Sequence, residues 1–216
     1  MGSELIALSL CDYTANILRP WAEAGFRCIA VDIQHGGDIT IRNGIELVNA
    51  DVAEYLPPLG DYAVCFASPP CTNLAVSGAR WFPGKGLGAL CEALRVVEAC
   101  RRICEWTGAP YLIENPVSTL STYWRKPDHV FDPCDYGGYL DPPGDHYTKK
   151  TCLWVGNGFI MPDKRHVEPT LGSRMHRLPQ SSDRTRIRST TPMGFSAAVF
   201  EANCKDRPNS AGVPSE

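Results

Sequence analysis

The chain predicts an α/β fold with a mostly parallel sheet and helices on both faces. Three observations carry this expectation. Short apolar runs alternate with one strongly periodic helix and shorter helical segments through the first half of the chain. Acidic or polar residues close several of the runs, as at Asp32, Asp51 and Glu114. The rhythm of helix, glycine stop and strand between Asn16 and Val31 is that of the first β-α-β unit of a Rossmann-like fold.

Taken in order, Leu5–Leu10 reads as a first strand. Ile17–Ala24 reads as a helix with Asn16 as its cap, Pro20 in the first turn and Gly25 as its stop. Phe26–Ile33, Ile45–Val48 and Tyr62–Ala67 follow as strands. Leu87–Thr107 is the best helix, because Leu90, Leu94, Val97, Cys100, Ile103 and Cys104 recur at steps of three and four. Gly108 ends it, and Tyr111–Ile113 is the next strand. Residues 121–150 are rich in Pro, Gly, Asp and Tyr and predict loops, Thr151–Val155 a strand, and Pro192–Asn203 a last helix. One domain over residues 1–204 is expected, with 119–192 irregular and free for a substrate-recognition insert, and 205–216 a polar, mobile tail.

The bulk numbers narrow the class. An apolar fraction of 44% supports a packed core and excludes global disorder. The net charge of −3 is unlike that of a generic nucleic-acid binder. Its distribution is uneven: residues 174–188 hold five arginines against Asp183, a net +4 that leaves −7 for the remainder. Such a cluster suits phosphate. The ten cysteines sit mostly in apolar segments and lack any C-x-x-C or zinc-type spacing, so reduced thiols and no metal are expected. The start has neither a basic n-region nor a long apolar stretch, and nothing is long and apolar enough to span a membrane. A cytoplasmic protein is expected.

The stretch Phe66-Ala67-Ser68-Pro69-Pro70-Cys71 holds the clearest chemical signal. Two prolines cannot continue a sheet ladder, so Cys71 stands on a stiff loop past the carboxyl end of a strand. Open α/β sheets bind ligands at such ends. A second strand closes on Glu114-Asn115-Pro116. A thiol beside a carboxylic acid suits covalent addition to an electron-poor ring. A thiolate adding to carbon 6 of cytosine turns carbon 5 into a nucleophile, and an acid at nitrogen 3 supports the charge that develops.

On these residues the chain resembles the SAM-dependent cytosine-C5 DNA methyltransferases. Ser68-Pro69-Pro70-Cys71 is similar to their Pro-Cys motif and Glu114-Asn115-Pro116 to their Glu-Asn-Val motif. Order and spacing agree across about residues 5–118. The segment Ser77–Phe82, with Arg19-Pro20-Trp21, looks most like compact phage and prophage members. The resemblance implies a class I methyltransferase fold with a minimal recognition region, with S-adenosyl-L-methionine as co-substrate. It implies Cys71 as nucleophile, Glu114 as the acid at nitrogen 3, and Asn115 orienting the Glu114 loop or the Cys71 loop. Cys11, Asp12, Tyr13 and Thr14 would line the methionine end of the cofactor. Asp32 would meet the ribose, Ile33 would touch the cofactor beside it, Asp51 would meet the adenine with Val52 next to it, and Pro70 would lie between cofactor and base.

The chain also departs from the family. Tyr13 and Ala15 stand at positions where the first loop is normally glycine, and Thr72 follows the cysteine in place of glutamine. Lys149-Lys150-Thr151 only echoes an arginine pair before a late strand, which leaves Arg184, Arg186 or Arg188 to hold the base carbonyl. On this basis Ser68, Lys149, Arg184, Arg186 and Arg188 are the expected substrate contacts. The expected partner is DNA containing cytosine. The alternatives are the same chemistry on a free cytidine nucleotide, or a binding protein that keeps the fold without catalysis.

Overall fold

A computed structural model describes residues 4–173 and 184–204; the side chains of 184–186 and the tail 205–216 lie outside the description, as do Arg174 and Arg177. The strands are β1 (Ile6–Leu10), β2 (Arg27–Val31), β3 (Ile39–Arg42), β4 (Ile45–Val48), β5 (Tyr62–Ala67), β6 (Tyr111–Pro116), β7 (His129–Phe131) and β8 (Thr151–Gly156). The α-helices are α1 (Arg19–Glu23), α2 (Phe82–Trp106), α3 (Leu120–Tyr123), α4 (Arg184–Ser189) and α5 (Met193–Asn203). All eight strands join one sheet in the order β3-β4-β2-β1-β5-β6-β8-β7. The five central strands, β4 to β6, pair in parallel. β3 and β8 run antiparallel to their neighbours. The expected mostly parallel α/β sheet is therefore present, and its compatibility with a Rossmann-like arrangement extends to helices on both faces.

Strand alternation builds those two faces. Ile6, Leu8 and Leu10 of β1 pack with Cys65, Ala67 and Ile113 under Val97, Cys100 and Cys104 of α2. Ala7, Phe66 and Leu112 point the other way, into a core with Trp21 of α1 and Phe195, Ala198 and Val199 of α5. Burying each such apolar side chain contributes about 1.5–3 kcal/mol, so the alternation pins the register of the central strands. It also directs chemistry. Glu114, two residues past Leu112, projects on the α5 side of the sheet.

Several expectations are corrected. The helix expected over Ile17–Ala24 divides into a 3-10 turn, Asn16–Leu18, and the short α1 with Pro20 in its first turn. Asn16 does not cap it: Ala15 occupies the cap position, and the Asn16 Nδ2 instead donates to the Thr191 carbonyl at 3.3 Å. The long helix begins at Phe82, but Gly86 breaks its geometry at φ 73°, which explains the regular periodicity from Leu87 onward. β3 is an addition. Asn43 and Gly44 both have positive φ, and they close a two-residue hairpin that sends β3 back along β4. In the region expected to be loops, α3, β7 and two 3-10 turns form, and β7 pairs with β8 at the sheet edge.

Candidate functional site

Chain order reverses at the middle of the sheet. β2 and β4 lie on one side of β1, β5 and β6 on the other. A crevice therefore opens above the carboxyl ends of β1 and β5, the place where open α/β sheets hold ligands. The loops that follow β1 and β5 form its walls, and they carry Cys11–Thr14 and Ser68–Cys71 respectively.

The Cys71 loop is fastened by backbone bonds. The Ser68 N–H still donates to Leu10 at 2.9 Å, after which Pro69 and Pro70 leave the ladder. The Cys71 carbonyl accepts from the Leu74 and Ala75 amides at 2.9 and 2.8 Å. Ala75 then bridges to Ser118, while Val76 donates to Val117 and Thr119 to Leu74. The loops after β5 and β6 are thus zipped together. Asn115 completes the fastening: fully buried, it donates from Nδ2 to the Pro69 carbonyl at 2.9 Å. Of the two loops it was expected to orient, it bonds that of Cys71. Its Oδ1 is buried with no hydrogen-bond partner within the protein.

Glu114 lies at the end of β6, next to β8, which starts just after Lys149. The Lys149 Nζ stands 3.9 Å from the Glu114 Oε1, and both side chains are largely buried. Burial pushes the Cys71 thiol above its ordinary value, and the Glu114 charge pushes it further; Lys149 and Arg188 pull it back. Glu114, Lys149 and Arg188 thus all act electrostatically on the Cys71 thiol. Of the three candidate arginines, Arg188 is the one whose described side chain takes part. The side chains of Arg184 and Arg186 lie outside the described residues. Glu114 and Lys149, but neither Cys71 nor Arg188, line a cleft with Phe66, Leu112, Phe131 and Phe195 as its apolar floor and Ser68, Thr151 and Thr191 on its polar wall. The cleft is narrow, with room for about one water molecule. As it stands the cleft is too small to admit a pyrimidine.

On the β1 side, Asp12 shapes the first loop. Its buried carboxylate accepts from the Ser9 hydroxyl at 2.9 Å, the Thr14 hydroxyl at 3.1 Å and the Ala15 amide at 2.8 Å. Cys11 and Ala15 take positive φ, 54° and 56°, so the loop makes left-handed turns without glycine. Two residues that sequence reasoning missed brace it from outside. Arg42 of β3 donates to the Tyr13 and Thr14 carbonyls at 3.2 and 3.3 Å. The buried His35 stacks on Tyr13 with ring centroids 5.7 Å apart, and its Nε2 has no hydrogen-bond partner within the protein. Burial holds the His35 imidazole below its ordinary pKa. No local motif marks either role, since both depend on contacts formed across the fold.

Asp12 offers a stability test. Burial, outweighing its hydrogen bonds, raises its carboxyl above the ordinary 3.8. The neutral form is therefore favoured by folding. This stabilising contribution is complete below the unfolded value and is lost as pH rises through the folded one. At pH 7, Asp12→Ala, which leaves two hydroxyls and an amide without their acceptor, is expected to cost about 2–4 kcal/mol in urea unfolding. Asp12→Asn keeps an acceptor and carries no charge, so it should stay within about 1 kcal/mol of the parent and flatten the acid-side pH dependence of stability.

The remaining candidates divide. Asp32 is buried just past β2, and its Oδ1 accepts from the Gln34 amide and side chain at 2.8 and 3.2 Å. Ile33 beside it is two-thirds exposed, and Val52 is buried. Asp51 is already engaged: Arg95 of α2 donates to its Oδ2 at 2.7 Å and the Ala53 amide to its Oδ1 at 2.9 Å. The Arg95 guanidinium holds the Asp51 carboxyl below its ordinary range. Pro70 is exposed on the crevice wall. No protein-family signature matches the chain, and no curated protein matches it. No helix among the described residues is long and apolar enough to cross a membrane.

Proposed function

We propose that this protein transfers a methyl group from S-adenosyl-L-methionine to carbon 5 of cytosine in DNA through a covalent adduct on Cys71. The observation that carries this reading is the fastening of Cys71 and Glu114 at the carboxyl ends of adjacent parallel strands, through the Asn115–Pro69 bond and the bridge from Ala75 to Ser118.

The residues divide the work as follows. The Cys71 thiolate forms a bond to carbon 6 of a cytosine turned out of the duplex stack. Glu114 gives its proton to nitrogen 3 as the ring electrons move toward carbon 5. The carboxylate left behind faces the Lys149 ammonium, which offsets its charge. Carbon 5 then takes the methyl group. Loss of the carbon-5 proton to a base expels the thiolate, nitrogen 3 returns its proton to Glu114 and the aromatic ring is restored, so the protein ends unchanged. The co-substrate, when bound, supplies an electrophilic methyl on sulfonium sulfur.

Several residues fit that co-substrate. Both bonds to Asp32 fall on Oδ1, which leaves Oδ2 to meet ribose hydroxyls. Ile33 offers exposed apolar surface for adenine. Asp51 fits less well, because Arg95 already takes its carboxylate. Arg42, His35 and Asp12 hold the loop that borders the methionine end.

The same chemistry on a free cytidine nucleotide is the second reading, favoured by the acidic overall charge and the short recognition region. A labelled-methyl assay with DNA, dCMP and dCTP side by side tests both. Transfer to DNA is expected. Transfer to nucleotides alone selects the second reading. No transfer to any of the three, without SAM binding in calorimetry, overturns both.

A further inference from the structure

We propose that Cys134, Asp135 and His166 form a zinc-type divalent-metal site, independent of the methyl-transfer reading and sharing no residue with the Cys71 site. Their donor atoms all lie within 4.8 Å of one another, the one such group of three found among the described residues. His166 Nδ1 stands 3.4 Å from Asp135 Oδ1. Two ligands on a single tetrahedral zinc, each bonded at about 2.0–2.1 Å, stand about 3.3 Å apart. The pair is therefore already at coordination spacing, with the Cys134 sulfur completing one face.

The two oxygens of Asp135 have different surroundings. Oδ2 is held by the Asp132 amide at 3.0 Å and the Lys164 ammonium at 3.0 Å. Oδ1 is the oxygen turned toward His166. The carboxylate is thus oriented from behind by an outer shell while its inner oxygen stays available to a metal, the arrangement that tunes ligating carboxylates. Backbone bonds position the third ligand. Val167 donates to the Cys134 carbonyl at 2.8 Å and Gly138 to the Arg165 carbonyl at 2.9 Å. These two bonds flank His166 and hold its segment against the turn carrying Cys134 and Asp135. The approach requires glycine, since a Cβ on Gly138 would lie 2.8 Å from the Arg165 oxygen.

The donor set selects the metal class. Thiolate, imidazole and carboxylate together suit zinc and disfavour magnesium or calcium, which take oxygen ligands. Cys134 is buried, so a metal there is shielded on the sulfur side, and the half-exposed His166 leaves a fourth position for water. As the metal–sulfur bond forms, the thiol proton passes to solvent. Two anionic ligands balance the dication, with Lys164 remaining on the outer oxygen. The site would tie the turn at 133–135 to the segment at 163–167, where regular structure is sparse. Tyr136, next in the chain, packs on Phe131 and Phe195, which floor the cleft beside Glu114 and Lys149.

The test uses the full chain without an affinity tag, stripped with a chelator and titrated with Co(II) and then Zn(II). One equivalent of Co(II) is expected to give sulfur-to-metal charge-transfer absorption with tetrahedral d–d bands, and Zn(II) should displace it and raise Tm. Cys134→Ser should remove the charge-transfer band. His166→Gln, a change at an exposed position, should weaken Co(II) at least about tenfold while circular dichroism stays unchanged. Cys71→Ser should leave the spectrum intact. The proposal is overturned by the absence of stoichiometric binding of either metal, by a band that survives Cys134→Ser, or by one that disappears with Cys71→Ser.

Discussion

Cys71→Ala is expected to lower methyl transfer by about four orders of magnitude or more, because no other group replaces the sulfur that bonds to carbon 6. The fold should survive. The Cys71 carbonyl, not its side chain, organises the turn through Leu74 and Ala75, and Asn115 fastens Pro69 independently. The loss is therefore chemical, and unchanged urea unfolding should accompany it. DNA carrying 5-fluorocytosine sharpens the test, since fluorine at carbon 5 blocks the proton loss that releases the thiol. The parent protein should form a covalent adduct visible by intact mass, and the alanine variant none. The parent rate should also rise with pH through the neutral range. Burial and Glu114 keep the thiol above its ordinary pKa of 9.0, so only a small thiolate fraction exists at pH 7. Near-parental turnover by the alanine variant would remove Cys71 from the mechanism.

The parts of this molecule that were readable in the sequence are those encoded locally. Pro69-Pro70 after an apolar run forces a strand to end, and Cys71 is indeed held just past β5. The period of α2 follows from its buried face, and Gly25 stops α1 at φ 87°. The Asn43-Gly44 turn was equally local, yet the four residues before it are exposed on both faces and lack the half-buried alternation that marks a strand. What escaped reading depends on long separations. Asn16 looks like a cap until Thr191 arrives from 175 positions away. Asp51 looks like a ligand acceptor until Arg95, 44 positions on, takes its oxygen. Arg42 reaches Tyr13 and Thr14 only because β3 folds back along β4. Cys134, Asp135 and His166 meet through two backbone bonds that no spacing rule anticipates.

Glu114→Gln is expected to reduce turnover by about 10²- to 10⁴-fold, the range for losing a positioned proton donor. At the same time it should make Cys71 a better nucleophile toward a small alkylating agent. The two effects have opposite signs because Glu114 acts on two different atoms. Toward nitrogen 3 it is an acid, which an amide cannot replace. In the protein without substrate, where the thiol is alkylated, it acts on Cys71 as a negative charge that, after burial, is the main cause of the raised thiol pKa. Removing that charge leaves Lys149 and Arg188 to stabilise the thiolate, so the iodoacetamide pH profile should move to lower pH. Lys149→Met should move it to higher pH, because the opposing cation is then lost. A Glu114–Lys149 pair that did not face Cys71 predicts a different pattern: both variants would lose stability together, and the thiol profile would stay where it was. The antisymmetric shift of one thiol by two neighbouring substitutions therefore tests whether the pair faces Cys71 without requiring that the substrate be known, and the fall in turnover tests whether Glu114 is the acid.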